Sequence, residues 1–209
     1  MRRGRNLNYP PYNVIIEQCG QETTMKMVYK SMEKTKIDIR TAENHEFHKV
    51  QMFYHSMIDT MEHTLYTPGW QKGVYPSDQY LIDSIARREL YLGFLDTELV
   101  AAMIVNHESN ESYANAHWPT EADKEEITVL HALGVRHDFG GRGIAKEMVN
   151  KVIAMAREGQ QKVIRLDVLK GNLPAERLYT GMGFQYVDTL QMYYEDTGWT
   201  DYMLYEYPL

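Results

Sequence analysis

The chain has 209 residues, 44% of them hydrophobic and 24% charged, which excludes a disordered polymer or a collagen-like repeat and makes one large domain the default. Its 22 Lys and Arg against 29 Asp and Glu leave a formal charge of −7, which argues against nucleic acid as the main partner and for attraction of cations, protonated amines among them. No apolar run approaches the ~18 residues of a membrane-spanning helix, the basic start at Arg2, Arg3 and Arg5 has no apolar segment behind it, and Cys19 alone forms no internal disulfide, so a cytoplasmic protein off the membrane is expected.

Residues 1–35 form an N-terminal extension with weak signals, a short strand over 13–17 and a helix over 23–33. Residues 36–209 read as a single domain, with no internal repeat and no Gly/Ser or Pro-rich linker inside it. Alternation over 36–40 predicts a strand, and Phe47, Val50, Met52, Phe53, Met57, Ile58 and Met61 approximate the stripe of a helix over 43–62. A loop punctuated by Pro68, Gly69 and Pro76 follows, and Ser77 is placed to cap a helix running to about Arg88. Residues 90–95 and 99–106 read as a β-hairpin, and after a polar stretch residues 127–135 form a strongly apolar strand.

Glycines 140, 141 and 143 break that strand, and Ile144, Ala145, Met148, Val149, Val152, Ile153 and Ala156 then recur at helical spacing. Residues 162–169 return to strand, with Ile164, Leu166 and Val168 on one face. Strand, glycine turn, amphipathic helix and strand make a βαβ crossover with parallel strands. Asn172 caps a short helix to about Tyr179 with Gly181 just past its end, and residues 185–194 and 201–207 pair as a closing hairpin. The fold class is mixed α/β (α+β): a mostly antiparallel sheet, a central parallel crossover, and flanking helices.

The glycine turn is the most informative segment, because glycine lets a backbone approach a ligand and the following helix presents unpaired N–H groups that suit a phosphate. Arg142 and Lys146 add positive charge there. A P-loop fails, since Ala145 and Glu147 stand where Gly and Ser/Thr are needed, and a dinucleotide fingerprint fails at Lys146. The pattern [Q/R]-x-x-G-x-[G/A] fits Gly143-Ile144-Ala145, with Gly140 in its first place.

Asn172-Leu173-Pro174-Ala175-Glu176-Arg177-Leu178-Tyr179-Thr180-Gly181-Met182-Gly183-Phe184 then matches N-x-x-A-x-x-L-Y-x-x-x-G-F. Together the two segments make residues 126–184 resemble the core of the GNAT superfamily of acetyl-CoA-dependent N-acetyltransferases, and residues 70–105 resemble the helix and hairpin that precede it. The resemblance implies acetyl-CoA as co-substrate, entering where the strands ending near Val135 and Leu169 splay apart. It assigns the pantetheine arm to the main chain of Leu133, Gly134 and Val135, the diphosphate to Gly140, Gly141, Arg142, Gly143, Ile144 and Ala145, and a further CoA contact to Asn172 and Tyr179.

Tyr179 is then the general acid for the departing thiolate. His131, in a segment His131-Ala132-Leu133-Gly134-Val135 that resembles the H-A-L-x-V strand of arylalkylamine N-acetyltransferases, is one candidate base and Glu126 the other. Val129 stands where those enzymes carry another histidine. Trp70, Tyr75 and His117 are candidates for the acceptor pocket. The acceptor expected is a primary amine of a small molecule, a polyamine or an amino terminus, and the rival is a non-catalytic acyl-CoA-binding module acting as sensor or docking surface. A homodimer through the C-terminal strands is the assembly considered. No metal is expected, since His45-Glu46-Phe47-His48 is one residue short of H-E-x-x-H.

Overall fold

The computed structural model describes residues 36–61, 64 and 66–209. The strand and helix expected over 13–17 and 23–33, and Cys19, lie outside the described residues. Seven strands form one sheet: β1 (Asp38–Thr41), β2 (Leu90–Leu95), β3 (Glu98–Asn106), β4 (Ile127–Val135), β5 (Val163–Leu169), β6 (Gln185–Tyr194) and β7 (Gly198–Pro208). Their order is β1-β2-β3-β4-β5-β7-β6, and every neighbouring pair is antiparallel except β4–β5. Four helices flank the sheet: α1 (Phe47–Met61), α2 (Asp78–Ala86), α3 (Ile144–Glu158) and α4 (Leu173–Gly181). No helix among the described residues is long and apolar enough to cross a membrane.

The helices divide between the two faces according to where their apolar residues fall. In α1, Val50, Phe53, Tyr54, Met57 and Ile58 are buried, a spacing of three and four residues that makes one stripe. Met52, two residues past Val50, falls outside that stripe and is exposed, while Tyr54 takes a place within it. These residues pack with Leu81 and Ile85 of α2 against Leu90, Leu92, Phe94, Ala102 and Ile104 of the sheet. On the opposite face Ile144, Met148, Val149, Val152 and Ile153 of α3 meet Leu130, Ile164, Leu166 and Val168. Each such side chain contributes about 1.5–3 kcal/mol relative to exposure.

Local chemistry sets the helix ends. Ser77 Oγ accepts the Tyr80 N–H at 3.2 Å and caps α2. Glu46 receives both guanidinium N–H groups of Arg40 at 2.7 and 2.8 Å, which hold its carboxyl down to about 2 and draw β1 onto the start of α1. This engagement also removes Glu46 from the His45–His48 segment as a free group. Helix α4 runs through Gly181, two residues beyond the expected end at Tyr179, and the left-handed residue that ends the turn is Gly183, at φ +96°.

Candidate active site

The parallel pair β4–β5 is laddered only at Ile127–Val163, Thr128–Ile164 and Val129–Arg165. Beyond Val129 the strands part and open a cavity of about 840 Å³. Its walls include Leu130, His131, Ala132, Leu133 and Val135 on one side and Asp167, Val168 and Leu169 on the other. Parting leaves main-chain groups of both strands without a ladder partner, which is what an extended ligand arm needs.

A β-bulge sharpens the opening. Ala102 pairs with Gly134 but Ile104 pairs with His131, so β4 carries one extra residue, and Ala132 takes φ +48°. Leu130, Leu133 and Val135 pack on the α3 side, whereas Ala132 and Gly134 face α1. Tyr54 of α1 anchors the bulge by donating its hydroxyl to the Ala132 carbonyl oxygen at 2.9 Å. Gly134 is absent from the cavity wall and has a packing reason of its own, since a Cβ there would lie 2.7 Å from Met57 Sδ.

At the other end of the cavity Gly140, Gly141, Gly143, Ile144, Ala145 and Lys146 line the wall. Gly141 and Gly143 have φ of +73° and +82°, and a Cβ on either would meet nothing within 4 Å, so the requirement is backbone conformation rather than crowding. Gly143 is the N-cap of α3 and offers no side chain to the first-turn N–H groups. Those donors, the positive end of α3 and the exposed Lys146 therefore face open space, a cradle that fits a diphosphate. Arg142 stands apart from it: its guanidinium lies 4.7 Å from the centre of the Phe139 ring and donates to the Asp138 carbonyl at 3.3 Å. Of the two basic residues expected there, Lys146 lines the cavity and Arg142 does not.

Between these ends stand the two titratable candidates. His131 Nε2 lies 2.9 Å from Asn106 Oδ1 and 3.0 Å from the Glu108 carbonyl oxygen, both acceptors, so Nε2 carries the proton. Asn106 Oδ1 also accepts the Glu108 N–H at 3.0 Å, which fixes the orientation of that amide. The lone pair of Nδ1 is left as the acceptor, and burial pulls the imidazole down to about 4, so it is neutral at physiological pH. Tyr179, 7% exposed, lines the cavity and makes an edge contact of 5.4 Å with Phe184. Burial, reinforced by the nearby Asp167, pushes its phenol up, so it keeps its proton. Asn172 both lines the cavity and accepts the Ala175 N–H at 3.5 Å.

Trp70 and Tyr75 line the cavity as expected of an acceptor pocket, 5.9 Å apart. Tyr66, Tyr80, Tyr194, Tyr202, Asp167 and Asp196 join them, and none of these was singled out in the sequence. Asp167 carried a signal: a carboxylate within the apolar run of β5, pointing away from the face of Ile164, Leu166 and Val168. Two expected site residues lie elsewhere. His117 and Glu126 border a separate shallow depression with Lys162 and Arg165. There Glu126 pairs with Lys162 at 2.7 Å, which holds its carboxyl below the usual range, and it caps its own turn at the Asp123 N–H. The 107–126 segment folds back over β5 and β7, where Arg165 lies 4.1 Å from the Trp118 ring centre and Thr120 bonds the fully buried Glu206. That fold-back carries both residues away from the fork.

Comparison with known proteins matches the same segment. The sequence model of the Acetyltransferase (GNAT) family covers residues 54–184. An uncharacterized N-acetyltransferase of Methanocaldococcus jannaschii is 31% identical over 71 residues, 34% of this chain and 31% of that one, so the match spans less than a third of that relative. A GNAT-family acetyltransferase of Streptococcus agalactiae superposes with a TM-score of 0.69 at 18% identity, covering 83% of this chain and 95% of the other. The structure of yncA from Salmonella typhimurium with its cofactor acetyl-CoA gives 0.61 at 14% identity, over 83% and 94%. At these identities the likeness is one of fold.

Proposed function

The chain belongs to the acetyltransferase (GNAT) family, and on that premise we propose that residues 36–209 are a catalytic domain that transfers the acetyl group of acetyl-CoA to the nitrogen of a primary amine, both reactants being held together in the forked cavity. One observation carries this reading: a single cavity runs from the uncapped N-terminus of α3, through the parted strands, to Tyr179 and His131.

The main-chain N–H groups at Gly141, Gly143, Ile144 and Ala145 hold the diphosphate, with Lys146 adding charge. The unladdered main chain of β4 around Leu133 and Val135 pairs with the pantetheine arm, and a donor there polarises the thioester carbonyl, an effect often worth about 3 kcal/mol. Acetyl-CoA supplies an acyl group already activated as a thioester. The amine attacks, the new N–C bond forms, and the C–S bond breaks. The amine must first shed a proton, because a lysine-like ammonium has a pKa of ~10.4. His131, neutral and with Nδ1 as acceptor, takes that proton directly or through water. As the C–S bond breaks, Tyr179 gives its proton to the leaving sulfur and is restored by the second N–H proton, shed from the cationic nitrogen of the adduct directly or through water, so that a neutral amide and a thiol leave. Placement favours His131 over Glu126, which lies off the cavity wall in an ion pair.

The test is thiol release from acetyl-CoA over a panel of primary amines, with calorimetry of CoA binding alongside. Release with at least one amine supports the reading. Binding without release from any amine makes the chain an acyl-CoA sensor, and folded protein that binds no CoA removes the reading altogether.

A further inference from the structure

Resting on that acetyltransferase reading, we propose that the acceptor is a diamine or longer polycation, held by a second, unreacting ammonium at Asp167 while another nitrogen is acetylated.

The acceptor half of the cavity is acidic and aromatic. Its carboxylate wall residues are Asp167, Asp196 and Glu108, the last paired with Arg87 at 2.8 Å, and among the described residues the one Lys or Arg lining the cavity, Lys146, belongs to the proposed diphosphate cradle. His131 is neutral there, and Arg165, the neighbouring cation on β5, is taken up by Trp118, Glu206 and the Thr120 carbonyl. Asp167 accepts two hydroxyls, Tyr113 at 2.8 Å and Tyr194 at 3.0 Å, and both reach the same oxygen, Oδ2. Oδ1 receives no hydrogen bond from a described residue. Asp196, 8% exposed, lines the same end and forms no ion pair among the described residues. Carboxylates withdrawn from water without a counter-charge are costly, and a cationic ligand removes that cost.

Aromatic faces complete the site. Tyr75 stacks on Tyr80 at 6.0 Å and meets Trp70 at 5.9 Å, while Tyr194 and Tyr202 lie 4.9 Å apart on the other side. Such faces attract an ammonium through the ring quadrupole, and their hydroxyls accept hydrogen bonds from it. The position is held from two directions, since Gln71 of the Trp70 loop donates to the Asp196 carbonyl.

A second charge is required by the chemistry. The attacking nitrogen has to be a free amine, and a carboxylate beside it stabilises the ammonium form and opposes attack. The acidic end therefore suits a nitrogen that stays protonated, and the neutral imidazole of His131 suits the one that reacts. A substrate with a carboxylate in place of the second ammonium meets repulsion, and an uncharged arylalkylamine tail fills the aromatic walls but leaves Asp167 and Asp196 unpaired.

The experiment compares kcat/KM with acetyl-CoA for α,ω-diaminoalkanes of increasing length, monoaminoalkanes and arylalkylamines of matching length, and ω-amino acids. Diamines of the best length should exceed the monoamines by about ten- to a hundred-fold, the range for one hydrogen-bonded charged contact, and ω-amino acids should be poorest. Asp167→Asn should erase most of the diamine preference through KM. Monoamines or arylalkylamines turned over as well as diamines overturn the inference and leave the acetyltransferase reading standing. A fall in kcat common to mono- and diamines in Asp167→Asn would make Asp167 the base and overturn it too. If that variant does not fold, the selectivity of the native enzyme decides alone, and no release with any amine removes both readings.

Discussion

The two ends of the cavity are built by different means. At the N-terminus of α3 the groups offered to the cavity are main-chain N–H donors, shaped by Gly141 and Gly143 within a few consecutive residues. At the proposed acceptor end they are side chains from four distant stretches: Trp70 to Tyr80, Glu108 to Asn110, Asp167, and Tyr194 to Tyr202. A main-chain cradle depends little on neighbouring side chains, because none of them supplies its donors, and Arg142 lies over Phe139 instead. The proposed acceptor end would have no such tolerance, since there each ring or carboxylate is itself the proposed contact. On the proposed reading, chemistry common to a family sits at one end and selectivity at the other.

Substitutions can separate the two ends. The largest effect is expected at the junction. Tyr179→Phe keeps the ring against Phe184 and removes the proton donor, so kcat should fall about 10²-fold or more while CoA affinity by calorimetry stays near native. An unchanged kcat would remove the acid role. Gly143→Val should act only on the cradle end: a β-branched residue at φ +82° is strained by ~1–2 kcal/mol or more, and CoA affinity should drop about tenfold or more with amine selectivity preserved. Loss of amine selectivity with intact CoA binding would contradict the division.

A smaller, pH-dependent effect is expected at Asn106. His131 has to be neutral to accept a proton and titrates near 4, so kcat/KM should hold as pH falls to about 5 and decline through about 4. Asn106→Asp puts a carboxylate against Nε2–H, favours the imidazolium, and should move that acid limb up toward ~6.5. The same histidine leaves a mark on stability. Its folded pKa lies below the unfolded value, so the unfolded chain binds more protons between about 4 and ~6.5, and native stability should fall as pH is lowered through that window. An acid limb that does not move in Asn106→Asp shifts the base away from His131. Least of all, Glu126→Gln should leave kcat and amine selectivity at native values, because its exposed pair with Lys162 lies off the cavity. A large loss of kcat would restore Glu126 as a base.

Much of this was legible in the chain. Strand β4 falls on its expected residues, 127–135, because its apolar run is bounded by Glu125-Glu126 before it and Arg136-His137-Asp138 after it, and α3 begins at Ile144 because its stripe and its N-terminal turn coincide. Tyr179 reaches the cavity because the Asn172 cap and the helix length fix where it points. The bulge at Ala132 was not legible, since nothing in His131-Ala132-Leu133 announces a positive φ and its anchor, Tyr54, is far away in sequence. Nor was the removal of His117 and Glu126, which depends on Trp118 and Thr120 finding Arg165 and Glu206.

By itself the amino-acid order determined the mixed fold, the crossover and the glycine turn that opens α3, because periodicity, glycines and caps act within one or two turns of backbone. The tertiary structure alone decided the other end of the cavity: Asp167 is set in place only when Tyr75, Tyr113 and Tyr194 are brought around it, and the tautomer of His131 only when Asn106 and Glu108 meet its ring. Such contacts join residues far apart along the chain, so local pattern carries no trace of them, and burial rather than residue type sets their charge.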